Sequence, residues 1–330
     1  MAASSCVSNY FLSRDLGHPN LATLCAFVGT LYLSKLAISF LCLLYRLILR
    51  PATNLRKYGA KKGAWAVVTG ASDGIGKEFA LQLGKAGFNV FLMARTKAKL
   101  DTVANEAKSK YGVDAVVYPF DFAAAGDAEY EALRKQFQTL EDVGVLVNNV
   151  AVNHEMPTPF AQESEALLSA IVEVDVAAQV RLTRMILPGM TTRKRGLILN
   201  VGSVAGLIPS AYLATYSGAK AFLRTWSRAL AVECRPHNVH VEHVKTYFVT
   251  TAMSKIRRST ILAPTPRDYV RSVLQSAGKD TDAAPYPSHA VLTWVLEKLP
   301  EGLAIKKSAD MHIDIRRRAL KKREREAKKA

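Results

Sequence analysis

The sequence predicts an α/β protein with a doubly wound parallel sheet and helices on both faces, preceded by an N-terminal transmembrane helix. From Ala64 onward, short apolar runs alternate with helical patterns, which is typical of parallel strands joined by right-handed helical crossovers. Nearer the N-terminus, one apolar stretch is long enough to cross a bilayer. The predicted strands are residues 65–69, 89–94, 114–119, 143–148, 197–202 and 239–244.

Residues 21–45 form the apolar stretch, and a helix needs ~20 residues to cross the hydrocarbon core. A secretory signal peptide has a shorter apolar core, so we expect a single membrane span. Lys35 near its middle leaves a hairpin of two shorter helices as the alternative. Six Lys or Arg follow between residues 46 and 62, and only Arg14 precedes the stretch, so we expect the rest of the chain to lie in the cytosol.

Charge is spread unevenly along the 330 residues, whose formal net charge is +17. Residues 306–330 hold eleven Lys or Arg and four Asp or Glu, and such a tail can meet nucleic acid or an anionic membrane leaflet. No aromatic residue interleaves these charges, so we expect lipid and no nucleic acid. The sequence has four cysteines: Cys6, Cys25, Cys42 and Cys234. Their spacing matches neither a disulfide framework nor a metal site, which fits a reducing cytosol.

A glycine-rich turn, residues 69–76, follows the first predicted strand and precedes a helical pattern at 77–87. Glycines allow a tight turn and let a pyrophosphate approach the helix N-terminus. This order of strand, turn and helix predicts a dinucleotide site. Its candidate binding residues are Thr69, Gly70, Ser72, Gly74, Ile75 and Gly76.

Tyr216 and Lys220 stand four residues apart in a helical segment, 212–234, and therefore share one helix face. A fixed ammonium beside a phenol lowers the phenol pKa from ~10 toward a useful catalytic range. Ser203 lies thirteen residues upstream of Tyr216, near the end of a predicted strand, where α/β sheets present their chemistry. Taken alone, a Tyr-x-x-x-Lys pair is common by chance, and its alternative is a solvated pair on a helix surface.

Together, the glycine turn, the serine and the Tyr-x-x-x-Lys pair resemble the short-chain dehydrogenase/reductase family over residues 64–255. The resemblance implies a Rossmann-type sheet and a carbonyl reduction. It implies Tyr216 as the general acid, and Ser203 as hydrogen-bond donor to the carbonyl oxygen. Lys220 would lower the phenol pKa and hold the nicotinamide ribose. Asp175 stands where the family usually has an asparagine that supports a proton-relay water, and it adds charge near Lys220.

The second predicted strand ends without a carboxylate and is followed by Arg95, which favours the 2′-phosphate of NADPH over the free ribose of NADH. Asp121 matches the family's adenine-contacting acid, although a helix N-cap is an equal alternative. Asn149 belongs to the family's Asn-Asn-x-Gly element, in which Ala151 replaces the glycine.

After the sixth strand, Thr246-Tyr247 replaces the family's usual Pro-Gly, so we expect a bulkier and more fixed loop. Val249 and Thr251 match the pair that meets the nicotinamide carboxamide.

Within the family, the chain resembles the fungal microsomal very-long-chain 3-oxoacyl-CoA reductases. The shared features are the apolar anchor, the basic C-terminus and the segments 146–150, 187–190, 213–218 and 253–259. This resemblance implies NADPH-dependent reduction of a 3-oxoacyl-CoA on the cytosolic face of the endoplasmic reticulum membrane. It also implies that lipid and other fatty-acid elongation enzymes are partners.

Five segments follow from these patterns. They are an N-terminal segment (1–20), the transmembrane anchor (21–45), a basic linker (46–63), the catalytic domain (64–285), and an amphipathic segment with a basic tail (286–330). Residues 289–305, interrupted at Pro300 and Gly302, are predicted either to lie on the bilayer or to cap the core.

Two other functions are consistent with the same residues: a membrane-bound 17-beta-hydroxysteroid or retinoid reductase, and a catalytically silent scaffold that binds NADPH. Lys255, Arg257 and Arg258 follow the nicotinamide loop and are candidates to hold the phosphates of coenzyme A. The alternative for these three residues is contact with lipid head groups.

Overall fold

The computed structural model describes residues 19–328 and divides into two compact units, Met1–Arg50 and Pro51–Ala330. In the smaller unit, helix α1 (Pro19–Leu44) continues into a π-helical turn at Tyr45–Leu49. The alternative of a hairpin is therefore wrong. Among the described residues, Leu21–Leu49 is the one helix whose length and apolar composition would allow it to cross a membrane.

The larger unit contains a sheet of seven strands: β1 (Trp65–Thr69), β2 (Asn89–Ala94), β3 (Ala115–Pro119), β4 (Val143–Asn148), β5 (Gly196–Val201), β6 (Val239–Val244) and β7 (Asp282–Ala283). All neighbouring strands are parallel, in the order β3-β2-β1-β4-β5-β6-β7. The predicted doubly wound sheet is confirmed, with β3 beginning one residue later than predicted and β5 displaced by one residue. The two-residue β7 is an addition.

Helices connect the strands and cover both faces: α2 (Gly74–Ala86), α3 (Lys97–Tyr111), α4 (Asp127–Gln138), α5 (Glu165–Val172), α6 (Ala178–Thr192), α7 (Ala214–Cys234), α8 (Pro266–Ser276), α9 (Pro287–Leu296) and α10 (Glu301–Ala327). A π-helical turn, Glu173–Ala177, joins α5 to α6 and carries Asp175. The Asp73 side chain begins α2 by accepting from the backbone N–H of Gly74 at 2.7 Å. Gly87, in the left-handed conformation (φ +97°), ends it.

Two apolar layers enclose the sheet because successive strand residues point to opposite faces. On β1, Ala66 and Val68 belong to one buried cluster, whereas Val67 belongs to the other. The first cluster includes side chains from α2, α3 and α8, and the second includes side chains from α4, α6 and α7. Burial of both faces explains the nearly continuous apolar composition of the strands.

Residues from Pro51 onward, including part of the stretch predicted as a linker, belong to the larger unit. Tyr58 is 1% exposed and lies between Gly144 and Gly278. A Cβ at Gly144 would lie 2.0 Å from the Tyr58 carbonyl oxygen, so only glycine allows this approach. Because the strand order reverses between β1 and β4, a crevice opens at the carboxyl ends of the strands.

Candidate active site

The glycine turn after β1 is fixed by contacts with the end of β4. The Thr69 hydroxyl accepts from the backbone N–H groups of Asn149 (2.9 Å) and Val150 (3.0 Å). The side-chain amide of Asn149 donates to the Thr69 carbonyl at 2.9 Å. A Cβ at Gly76 would lie 2.1 Å from the Gly70 carbonyl oxygen, so helix α2 could not approach the turn with a larger residue there. Thr69 and Gly76 therefore shape the turn.

A cavity of about 1180 Å³ occupies the crevice. Besides Tyr216 and Lys220, nine of the predicted cofactor residues line it: Gly70, Ser72, Gly74, Ile75, Arg95, Asp121, Asn149, Val249 and Thr251. Gly70 and Gly74 have positive φ (+64° and +55°), a conformation that L side chains rarely adopt. Open backbone at the start of a helix is the arrangement that a pyrophosphate requires, so these residues fit a dinucleotide.

Two basic side chains line the end of this cavity that follows β2, namely Arg95 and Lys99. Lys99 was not predicted, although its position in the first turn of α3 was a usable signal. No carboxylate ends β2, whose last residue is Ala94. Asp121 lines the cavity, and its carboxylate accepts from the backbone N–H of Ala123 at 3.1 Å within a turn. The alternative of a helix N-cap is wrong, because the next helix, α4, begins at Asp127 and Gly126 is its N-cap. The adenine contact stays a prediction.

Ser203, Tyr216, Lys220 and Asp175 come together on the other side of the cavity. The Ser203 hydroxyl lies near enough to the Tyr216 phenol to lower its pKa, and it accepts from the backbone N–H of Ala205 at 3.1 Å. Lys220 Nζ lies 5.5 Å from the centre of the Tyr216 ring and 3.2 Å from Asp175 Oδ2. Ser203, Tyr216 and Lys220 line the cavity, whereas Asp175 lies behind Lys220 and is fully buried.

Buried hydrogen bonds hold helix α7 in register with the strand ends. Asn200 on β5 accepts from the Asn148 side chain at 2.8 Å and donates to the Ser227 hydroxyl at 2.8 Å. Near the start of α7, the Ser217 hydroxyl donates to the Ala205 carbonyl at 2.5 Å. The bonds of Ser217 and Ser227 join α7 to the segments that flank Ser203, and the bond between Asn148 and Asn200 joins β4 to β5 beneath them.

Burial raises the pKa of the Tyr216 phenol above its ordinary value, although the Lys220 ammonium and the Ser203 hydroxyl lower it. Lys220 acts in the predicted direction, but the expectation that it brings the phenol pKa below its ordinary value is wrong, because burial outweighs its effect. For Lys220, burial lowers the pKa, but the Asp175 carboxylate and Tyr216 together raise it above its ordinary value. The lysine is thus held in its charged form.

Asp175 makes two contacts. One carboxylate oxygen accepts from the backbone N–H of Val152 at 2.7 Å, and the other pairs with Lys220 at 3.2 Å. Burial raises the pKa of Asp175, and the ammonium of Lys220 opposes that effect. Asp175 is therefore the counter-charge of the lysine, a contact that the sequence predicted only as added charge nearby.

The loop after β6 is bulky and fixed, as the replacement of Pro-Gly predicted. The hydroxyls of Thr246 and Tyr269 lie 2.6 Å apart, and the rings of Tyr247 and Phe248 pack edge to face at 4.6 Å. Ser254 closes the loop by donating to the Val249 carbonyl at 2.6 Å.

Of the three predicted phosphate-binding bases, only Lys255 lines the cavity. Its ammonium donates to the Glu155 carbonyl at 3.0 Å. Arg257 and Arg258 are exposed and lie outside the cavity lining, so the structure does not place them beside Lys255 in this site.

A buried contact between a histidine and a carboxylate near the site escaped the sequence analysis. His154 Nε2 lies 2.8 Å from Glu163 Oε1, with both side chains almost fully buried. The other Glu163 oxygen accepts from the Thr215 hydroxyl at 3.0 Å, next to Tyr216. No spacing signal could have found it, because both residues lie in irregular segments that only the fold brings together.

The basic C-terminal residues form helix α10, and part of this helix lines the cavity. His312 contacts the Ala211 carbonyl at 2.9 Å, and Arg316 donates to the Pro157 carbonyl at 2.8 Å. The tail was predicted to meet a membrane leaflet. In the structure, His312 and Arg316 of this tail instead contact other segments of the larger unit.

Comparisons with known proteins agree with this geometry. A family model described as short chain dehydrogenase matches residues 64–261. The chain is 47% identical to a very-long-chain 3-oxoacyl-CoA reductase of Laccaria bicolor, over 97% of each chain. It is 53% identical to the protein of the same name from Coprinopsis cinerea, over 84% of this chain and 85% of that one.

Among solved structures, a metagenomic short-chain oxidoreductase in complex with NADP superposes with a TM-score of 0.57. The two proteins are 30% identical, and the match covers 67% of this chain and 96% of that one.

Proposed function

Because this chain belongs to the short-chain dehydrogenase family, we propose that it reduces very-long-chain 3-oxoacyl-CoA to 3-hydroxyacyl-CoA with NADPH. The observation that carries the proposal is that Ser203, Tyr216 and Lys220 line the same cavity as the glycine turn, with the buried carboxylate of Asp175 paired to Lys220 behind them. The names of relatives with 47% and 53% identity support the substrate class. Apolar side chains that suit an acyl chain also line the cavity, including Met253, Ile256, Leu292, Leu296, Met311 and Ile315.

When bound, NADPH supplies the hydride for the carbonyl carbon. The protein supplies the proton and stabilises the charge that develops on oxygen. The Ser203 hydroxyl donates to the carbonyl oxygen, and the Tyr216 phenol transfers its proton to that oxygen. Lys220, kept charged by Asp175, stabilises the resulting phenolate.

The choice of NADPH rests on the residues that follow β2. Arg95 and Lys99 line the cavity where a 2′-phosphate would accept charge-assisted hydrogen bonds. With Ala94 at the strand end, no carboxylate is present there to repel the phosphate.

The proposed location is the endoplasmic reticulum membrane, with the larger unit in the cytosol and other elongation enzymes as neighbours. The apolar helix Leu21–Leu49 and the basic residues that follow residue 45 support this arrangement. An acyl chain of about twenty carbons favours lipid by ~0.8 kcal/mol per CH₂, so a membrane-bound enzyme meets its substrate where it accumulates.

Protease protection of sealed microsomes checks the orientation. We expect a C-terminal epitope to be digested without detergent, because positive flanks stay cytosolic. An epitope that is digested only after detergent is added would contradict the cytosolic orientation of the larger unit.

The function is tested by following NADPH or NADH oxidation by the detergent-solubilised chain, with 3-oxoacyl-CoAs of graded length. We expect turnover with NADPH and a kcat/KM at least about tenfold lower with NADH, since only NADPH can use the two bases. The same assay should include ketosteroids and retinals as competing substrates. Absence of turnover at every chain length, or a higher kcat/KM for a steroid, would overturn the proposal.

A further inference from the structure

Helix α10 presents one face to the cavity. Among its lining residues are Lys307, Met311, Ile315, Arg318, Ala319 and Lys322. Apart from the adjacent pair Arg318 and Ala319, they recur at intervals of three and four, which places them along one stripe of the helix. Along this stripe, apolar Met311 and Ile315 are followed by Arg318 one turn later and by Lys322 two turns later.

Side-chain contacts fix this helix across the cavity. In addition to its bond to Pro157, Arg316 donates to the Gln162 side chain at 2.9 Å. Arg323 donates to Glu155 Oε2 at 2.6 Å, and Lys255 approaches the other oxygen of Glu155 at 3.6 Å. The basic end of the stripe is therefore held beside residues 155–162.

Positive charge exceeds negative charge at this end. Four basic residues line the cavity there, Lys255, Arg318, Lys322 and Arg323, against two carboxylates, those of Glu155 and Glu326. Lys322 lies 3.6 Å from Glu326, and within residues 19–328 no carboxylate pairs with Arg318. Both Arg318 and Lys322 are exposed, so they can turn toward an anion without breaking a buried contact.

Arg95 and Lys99, which follow β2, are already assigned to the cofactor's 2′-phosphate. The basic end of α10 therefore fits a second anion on a molecule that also has an apolar portion. This inference rests on the proposed function, under which the molecule with the second anion is the substrate.

We propose that Arg318 and Lys322, with Lys255 and Arg323 beside them, bind the phosphates of the coenzyme A portion of the substrate. The acyl chain then lies along the apolar part of the stripe. Guanidinium and ammonium groups donate charge-assisted hydrogen bonds to phosphate oxygens, which suits a site at an open cavity mouth.

The test compares the R318Q/K322Q variant of the full chain with the K321Q/R325Q variant, which removes the same charge from α10 positions outside the cavity lining. Each is assayed in neutral detergent with a 3-oxoacyl-CoA and with the N-acetylcysteamine thioester of the same acyl chain. We expect R318Q/K322Q to raise KM for the CoA substrate about tenfold or more, while KM for the truncated thioester stays unchanged. Retained turnover of the thioester shows that the variant folds.

Two further measurements separate the other sources of phosphate. Calorimetric titration with coenzyme A alone should show about tenfold weaker binding to R318Q/K322Q than to the wild type, whether or not the chain turns over any substrate. If the wild type reduces neither thioester, the proposed function fails. The titration still shows whether Arg318 and Lys322 bind coenzyme A. Binding to vesicles that contain anionic lipid is measured for the same variants.

The proposal is overturned by an equal rise in KM for both thioesters, by a raised KM for NADPH, or by the same effect in K321Q/R325Q. It is also overturned if coenzyme A binding is unchanged and only vesicle binding weakens, because the bases would then serve lipid head groups.

Discussion

Asp175 is the residue whose role depends most on the fold. At its position the sequence predicted a contact to a relay water, together with extra charge near Lys220. In the structure its carboxylate pairs directly with the lysine at 3.2 Å and is fully buried. The prediction that Asp175 adds charge near Lys220 is confirmed, and its contact with a relay water stays a prediction. Because Asp175 raises the pKa of both Lys220 and Tyr216, it extends the pH range over which these groups keep their protons.

The Asp175→Asn variant should therefore shift the alkaline limb of the pH–rate profile for carbonyl reduction to lower pH. Removing the carboxylate lowers the pKa of the phenol that donates the proton and the pKa of the lysine beside it. The amide oxygen can still accept from Val152. The free energy of unfolding should also fall by about 3 kcal/mol, since a buried ammonium loses its partner.

Asp268→Asn is the matched control, because its ion pair with Arg271 is half exposed and lies 3.5 Å apart. A limb of Asp175→Asn that stays in place, or moves to higher pH, would show that the carboxylate does not set these pKa values.

At the scale of elements, two helical glycines make opposite predictions. Gly218 in α7 has no neighbouring atom within 4 Å of the position that a Cβ would occupy, so Gly218→Ala should raise the free energy of unfolding by about 0.5–1 kcal/mol. Gly76→Ala should lower that free energy and weaken NADPH binding, because its Cβ would meet the Gly70 carbonyl at 2.1 Å. Chemical denaturation and NADPH fluorescence titration measure both effects. If the two variants changed the free energy of unfolding and NADPH binding equally, the close contact between Gly76 and the Gly70 carbonyl would be refuted.

The sequence predicted best the strands that are buried on both faces, because their residues are nearly all apolar. Strands β1, β2, β4 and β6 have the predicted bounds because both faces of the sheet are buried. Helix α10 was missed because Pro300 and Gly302 were interpreted as breaks. Pro300 is instead the residue before the first turn, where a missing N–H costs no helical hydrogen bond.

At the scale of the whole molecule, the sequence predicted that Ser203, Tyr216 and Lys220 meet beside the glycine turn, but not the balance of effects on their pKa values. The spacing of Tyr216 and Lys220 predicted their shared helix face. It could not predict the depth of burial that raises the phenol pKa, which depends on segments distant in the chain. The position of the basic tail was equally hidden, because contacts such as Arg316 to Pro157 join residues 159 positions apart.

The most direct test of the account is NADPH oxidation with a 3-oxoacyl-CoA by Tyr216→Phe, with Tyr111→Phe as the control for loss of a hydroxyl outside the cavity. We expect the Tyr216 variant to lose kcat by about 10²–10⁴-fold while still binding NADPH, since general acid catalysis contributes a factor of that size. The Tyr111 variant should retain the wild-type rate. An undiminished kcat for Tyr216→Phe would contradict the account, because the proton would then come from another group.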